Sequence, residues 1–293
     1  MNNNSLNDVD PDDNYFDFSL STSNQCKYIS LDAYTGILGN HVSIFNFNIR
    51  SFRKNIDSFM GGFSDKNYPD ILNLTETWFT DSYSEGICGY DCFHTIRSDR
   101  RSGGVSLYIK SSFESRLVKE LSYVSDSIEV CTVEVSCFGF NFILVGIYRP
   151  HCDSIVNFVD HLSIFLSNSA LSNRQCILMG DLNIDLLNDQ PPNSLFVNLL
   201  YSHHFVPVIT KPTHFSQITN VNPTLLDHIW INKLTSYTSG IILSDFTDHL
   251  PTYLKIPLER PTGVKKVKLS FCNVNEVNKV KFRNLLQQFD WNS

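Results

Sequence analysis

The chain has 293 residues, enough for one large domain with appendages, and 42% of them are hydrophobic, which suffices for a sizeable core. Its formal charge of −7 argues against the broad, purely electrostatic duplex binding of a strongly basic domain. The first 25 residues hold five Asp and no Lys or Arg, whereas residues 259–293 carry seven basic side chains against three acidic ones. No basic residue precedes Lys27 and no apolar core follows Met1, so no signal peptide is expected. The longest apolar-rich stretch, Phe138 to Tyr148, is too short to span a bilayer. The eight cysteines show no paired zinc spacing, since Cys88 and Cys92 have no second pair to join. A soluble, reducing compartment, cytoplasmic or nuclear, is therefore expected.

Residues 1–25, rich in Asn, Asp and Ser and without periodicity, are expected to be disordered, and 26–40 to lead into the domain. Ile44-Phe45-Asn46-Phe47-Asn48-Ile49-Arg50 alternates apolar and polar, so a strand over 42–49 carries two amides on one face. A helix is expected from Ser51 to Phe59, and a strand over 70–75 ends at Glu76. Arg97-Ser98-Asp99-Arg100-Arg101-Ser102-Gly103-Gly104 is a basic loop, either a solvated tip or a contact for phosphates, before a strand over 104–110. Strands 128–136 and 140–148 read as a hairpin across Cys137-Phe138-Gly139, and the second ends in Tyr148-Arg149 before Pro150 closes it. After a helix over Ile155 to Leu166, the apolar run Cys176-Ile177-Leu178-Met179 leads into Gly180-Asp181-Leu182-Asn183. Side chains two apart on an extended chain point the same way, so Asp181 and Asn183 can reach one site. A helix over Ser194 to Tyr201 follows, then strands 225–231, with Asp227-His228, and 240–244, with Asp248-His249 shortly after. Past Pro257 come a lysine cluster and apolar residues at helical spacing from Val277 to Phe289.

Taken singly, each of these polar residues has an ordinary explanation as a turn former or a solvated side chain. The ordered set Asn46, Glu76, Tyr148, Asp181-Asn183, Asp227 and Asp248-His249 resembles the endonuclease/exonuclease/phosphatase superfamily, over roughly residues 41–256. Within it, Asn46-Phe47-Asn48-Ile49-Arg50-Ser51-Phe52, Thr75-Glu76-Thr77-Trp78, Gly180-Asp181-Leu182-Asn183-Ile184-Asp185 and Leu226-Asp227-His228-Ile229 look most like the endonuclease domain of non-LTR retrotransposons. Abasic-site repair enzymes carry Asp where this chain has Asn48, and phosphoinositide phosphatases carry Trp-Cys-Asp-Arg where it has Leu225-Leu226-Asp227-His228. Both departures favour the retrotransposon reading over its relatives in repair and lipid signalling. A non-catalytic remnant of such an element is the competing reading from another class.

The resemblance implies an α+β fold, a four-layer α/β/β/α sandwich of DNase I type. It also implies a Mg²⁺-dependent endonuclease, Mn²⁺ being an alternative ion, that nicks duplex DNA and is fused to a reverse transcriptase. Residues 41–256 would be that domain and 257–293 the start of the connection to the polymerase. Glu76 would be the main Mg²⁺ ligand, helped by Asn46 and Asp248, since Mg²⁺ takes few protein carboxylates and several waters. Asp181 would activate water and Asn183 fix it, Tyr148 would donate to phosphate, and His249 would donate to the scissile phosphate with Asp227 setting its tautomer. Asn48, Arg149, Arg97, Arg100 and Arg101 are the candidates for touching DNA. His228, His203, His204, His214 and Asp245 are read as structural or solvent-facing.

Overall fold

The computed structural model describes residues 26–35, 41–63, 68–80, 83–97, 102–151, 154–188, 190–216, 221–234 and 236–257. The expectations for 1–25, for the segment beyond 257 and for Arg100 and Arg101 therefore lie outside the described residues. In chain order the elements are β1 (Lys27–Ser30), α1 (Leu31–Thr35), β2 (His41–Asn48), α2 (Phe52–Gly61), β3 (Ile71–Thr75), β4 (Tyr90–Thr95), β5 (Val105–Lys110) and β6 (Glu114–Leu117). The two-residue β7 (Tyr123–Val124), β8 (Glu129–Cys137), β9 (Phe140–Tyr148), α3 (Ile155–Leu166) and β10 (Cys176–Asp181) come next. The chain ends its described part with α4 (Pro191–Ser202), the two-residue β11 (Val206–Pro207), β12 (Asp227–Ile231), β13 (Thr238–Leu243) and β14 (Thr252–Pro257).

The strands form two mixed sheets. One runs β1-β13-β14-β2-β3-β5-β4, the other β11-β12-β10-β9-β8-β6 with β7 paired to β8. The period of two explains how they pack. On β2, Val42 and Ile44 face the second sheet, where they meet Leu144, Ile177, Met179 and Ile229, while Phe45 and Phe47 turn outward onto Phe52 and Phe59 of α2. On the other side Ile143, Val145, Leu178 and Trp230 face Phe158, Leu162 and Phe196 of α3 and α4. Helices thus cover both outer faces, and the layers are α/β/β/α, the α+β sandwich expected.

The inner faces change character along their length. Ile44 precedes Asn46 and Asn48, Ile71 precedes Asn73 and Thr75, Met179 precedes Asp181, and Leu254 and Ile229 neighbour Thr252 and Asp227 at the same end. Pairing keeps these positions level: Asn46 lies beside Asn73 and Thr252, and Asp181 beside both Tyr148 and Asp227. One end of the space between the sheets is hydrocarbon and the other is polar. Burying that polar end is tolerated only if its groups hydrogen-bond one another.

Candidate active site

Two close approaches bring the polar strand ends together. A Cβ at Gly180 would stand 1.6 Å from the Ile147 carbonyl oxygen, and one at Gly146 would stand 2.4 Å from Asn73 Oδ1. Glycine at these two places lets β10 close on β9 and the second sheet close on the first. At the rim itself Arg50, Glu76 and Asn183 sit at φ 44°, 52° and 49°, a left-handed backbone that turns each side chain off its strand.

Asp227 is fully buried and accepts a 2.8 Å hydrogen bond at Oδ2 from His249 Nδ1, as the resemblance implied. Thr213 Oγ1 accepts from the Asp227 amide, and His249's own amide donates to Thr247 Oγ1. Burial alone would push the His249 imidazole down, but the Asp227, Asp181 and Asp248 carboxylates outweigh it and hold the pKa up at about 9. These carboxylates favour the protonated imidazolium. Asp181 is 1% exposed, and burial pushes its carboxyl up against the opposing pull of the His249 charge and the Asn48 amide.

The amide that reaches this centre is Asn48. Its Nδ2 donates to Asp181 Oδ2 at 2.8 Å and to Glu76 Oε1 at 3.0 Å, and Tyr148 Oη donates to the same Glu76 oxygen at 3.2 Å. Burial and then the Glu76 and Asp181 carboxylates push the Tyr148 phenol far up, so it stays a donor. The Asn183 amide donates from its backbone to Asp181 Oδ1 and from its side chain to the Arg149 carbonyl, which fixes both. Asn46, expected as a metal ligand, lies one step deeper. Its Oδ1 accepts from Asn73, and its Nδ2 donates to Thr252 Oγ1 and the His228 carbonyl. The alternation places both amides on one face, and it is Asn48 rather than Asn46 that lies against Glu76 and Asp181.

Two DNA-contact expectations also change. Arg149 is 4% exposed, with its guanidinium donating to the carbonyls of Leu182 and Asn183, so it props the loop after β10. Arg97 is equally buried and pairs with the fully buried Glu129, whose other oxygen accepts from the Gly104 amide. That ion pair pins the base of the basic loop. His228 is structural: its Nε2 bonds the Ile184 and Leu225 carbonyls, and burial lowers its pKa to about 4.

Two residues at the rim escape the sequence reading. Arg50 Nη1 lies 2.7 Å from Asp248 Oδ2, and His214 Nε2 lies 3.5 Å from the same oxygen. His214 reaches the site because residues 213–215 pair with the 248–250 segment, a long-range contact without a local signal. Arg50 had one, since it continues the polar alternation of β2.

Glu76, Arg50, Lys54, Trp78 and Asp248 line a cleft of about 840 Å³ that opens at this end of the sandwich. A divalent metal fits the donors present. Glu76 and Asp248 offer hard oxygens in one cleft, and Asp248 Oδ1 is buried with no hydrogen-bond partner. Among the described residues two groups of three potential metal ligands stand here, His214 with Asp248 and His249, and Asp181 with Asp227 and His249, and Glu76 belongs to neither.

Comparison with known proteins agrees with this fold. Solved structures with the same fold include the endonuclease domain of TRAS1, a telomere-specific non-LTR retrotransposon, at 12% identity and a TM-score of 0.60, covering 74% of this chain and 99% of that one. The 3′-5′ exonuclease of Neisseria meningitidis gives 15% and 0.58, covering 74% and 100%. An AP endonuclease from Archaeoglobus fulgidus gives 15% and 0.57 over the same shares. A search of curated proteins gives no match. The model of the endonuclease/exonuclease/phosphatase family matches residues 45–249, which begin on β2 and end at the histidine of the dyad, and the chain belongs to that family of hydrolytic enzymes.

Proposed function

We propose that the protein is a Mg²⁺-dependent endonuclease of the non-LTR retrotransposon type that nicks one strand of duplex DNA. The observation that carries this reading is the convergence of the Asp227–His249 pair with Asp181, Asn48 and Glu76 at one end of the sandwich. Held by Glu76 and Asp248, the ion would neutralise charge developing on the phosphate. The His249 imidazolium, oriented by Asp227, donates from its second nitrogen to a phosphate oxygen. Asp181 accepts a proton from the attacking water, and its raised pKa suits a base acting near neutral pH. Asn48 and the Asn183 backbone hold that carboxylate in place, and Tyr148 adds a phenolic donor facing the phosphate. Asn48 in place of the repair enzymes' Asp supports a substrate of intact rather than abasic DNA. A polymerase acting with it would extend the 3′-hydroxyl left at the nick.

Supercoiled plasmid and a duplex with one abasic site are incubated with Mg²⁺ or with EDTA, using wild type and Asp181→Ala. The reading expects open-circular plasmid only with wild type and Mg²⁺, a nick that a DNA polymerase extends without trimming, and no preference for the abasic duplex. Plasmid left intact while the abasic duplex is cut would replace it with a repair activity, and no cleavage of either with a non-catalytic role.

A further inference from the structure

The turn from β2 to α2 holds two consecutive residues with positive φ, Arg50 at 44° and Ser51 at 84°, a backbone that residues with a side chain rarely adopt. Its surroundings enforce them. The Arg50 amide donates to Asn48 Oδ1 at 3.1 Å, an Asx turn that aims the Asn48 nitrogen at Glu76 and Asp181. The Ser51 amide donates to the Glu76 carbonyl, and Asn55 Nδ2 donates to the carbonyls of Ile49 and Arg50. This clamp sends the Arg50 side chain across the mouth of the cleft to Asp248. The link joins the segment bearing Asn48 to the one bearing His249.

The pair differs in kind from Arg97–Glu129. Those side chains are 3% and 0% exposed and cannot part without leaving a buried charge alone, whereas Arg50 is 49% exposed and Asp248 14%. An ion pair with one partner half in water holds weakly, so its guanidinium exchanges readily for another anion. The anion that fits a planar fork of donors in a DNA-cleaving cleft is a backbone phosphate. Lys54, one turn further along α2, extends the same positive wall. When Arg50 leaves, Asp248 keeps His214 at 3.5 Å and has oxygens free for a hard cation.

We propose that Arg50 is the resident counter-ion of Asp248 in the substrate-free enzyme and passes to a phosphate of the bound strand, so that DNA and the metal ion favour each other's binding. The inference rests on the metal-dependent reading above. By linkage, whatever factor DNA adds to metal affinity the metal adds to DNA affinity.

Calorimetric titration with Mn²⁺ alone, without DNA, tests the first half. Arg50→Gln keeps the length and loses the charge, so Mn²⁺ binds at least about fivefold tighter than to wild type, the lower bound set by two unit charges about 4 Å apart in bulk water. Arg50→Lys keeps the charge and stays near wild type. Arg53→Gln, an equal charge change at a residue that stacks on Tyr83 and does not line the cleft, leaves Mn²⁺ affinity unaltered. The second half is measured in an Asp181→Ala background, where the duplex stays whole. There an added duplex tightens Mn²⁺ binding by a larger factor with Arg50 present than in Arg50→Gln. Equal Mn²⁺ affinity in wild type and Arg50→Gln, the same tightening in Arg53→Gln, or an identical effect of duplex in both backgrounds overturns the inference while leaving the metal site standing. Absent Mn²⁺ binding in wild type, or binding undiminished in Glu76→Gln, removes the metal reading and the inference with it.

Discussion

Asn46 and Asn48 are two residues apart on one face of one strand, the same residue type and equally buried, yet they belong to different regions. Asn46 sits in a polar layer between the sheets, tied to Asn73 and Thr252, and touches none of the charged groups. Asn48, one strand repeat of about 7 Å further on, touches Glu76 and Asp181. The contrast recurs across β12, where Asp227 faces the site and its neighbour His228 faces the ring of Phe196 under α4. Alternation selects the face, and distance along the strand selects between structure and chemistry. The inner layer has its own use: a hydrogen-bonded network beneath the rim holds the strand ends in register so that the charged groups above them meet.

The largest effect expected from testing that division is at Gly180, where the close approach delivers Asp181 to the rim. Gly180→Ala sets a methyl against backbone on β9 that cannot move aside, so a loss of about 4 kcal/mol or more is expected, read as a collapsed denaturation midpoint or insoluble protein. A soluble variant with wild-type stability would show that the contact is relieved cheaply. Next come the two amides. Asn48→Ala is expected to lower single-turnover nicking by about a hundredfold in protein that remains folded, beyond any loss of stability, since it removes a donor to the groups that react. Asn46→Ala is expected to do the reverse, lowering stability by about 1 to 3 kcal/mol because Asn73 loses its acceptor in a buried layer, with activity falling only as far as folding does. If both variants lose turnover alike and both stay stable, the division fails.

A smaller effect is expected from acid. His228 is neutral in the fold, with a pKa lowered to about 4, and ordinary when unfolded. Between about pH 6.5 and 4 the unfolded chain binds the extra proton, so this contribution is full above the unfolded value and is lost as pH falls, by up to about 3 kcal/mol. Urea denaturation at pH 7 and pH 5 would show a shallower acid loss for His228→Gln than for wild type. An unchanged pH slope would mean that the ring is not held neutral.

Much of this molecule is legible in the sequence because its core strands are apolar runs or apolar-polar alternations bounded by turn residues. The expected strand over 140–148 is β9, the apolar run Cys176-Ile177-Leu178-Met179 lies in β10, and the helix from Ile155 to Leu166 is α3. The edge strands β1, β4 and β6 escape, since their half-buried, polar sequences carry weak alternation, and so does the buried central β14, a short segment interrupted by Lys255 that follows Pro251 and ends at Pro257. At the site, Asp181 and the Asp227–His249 pairing could be named in advance through resemblance. Arg97 and Arg149 could not be placed, because a basic residue looks the same in sequence whether it faces phosphate or, as here, a buried carboxylate and two carbonyls. His214 depended on pairing between distant segments that no local pattern reports.

The most direct test is a cycle on the dyad, measuring single-turnover nicking of supercoiled plasmid with Mg²⁺ by Asp227→Asn, His249→Ala and the double variant, each shown folded by circular dichroism. If the pair acts as one unit, each single change lowers the rate by about a hundredfold or more and the double variant is little slower than either. Defects that multiply, or near-wild-type cleavage by folded His249→Ala, would contradict the account.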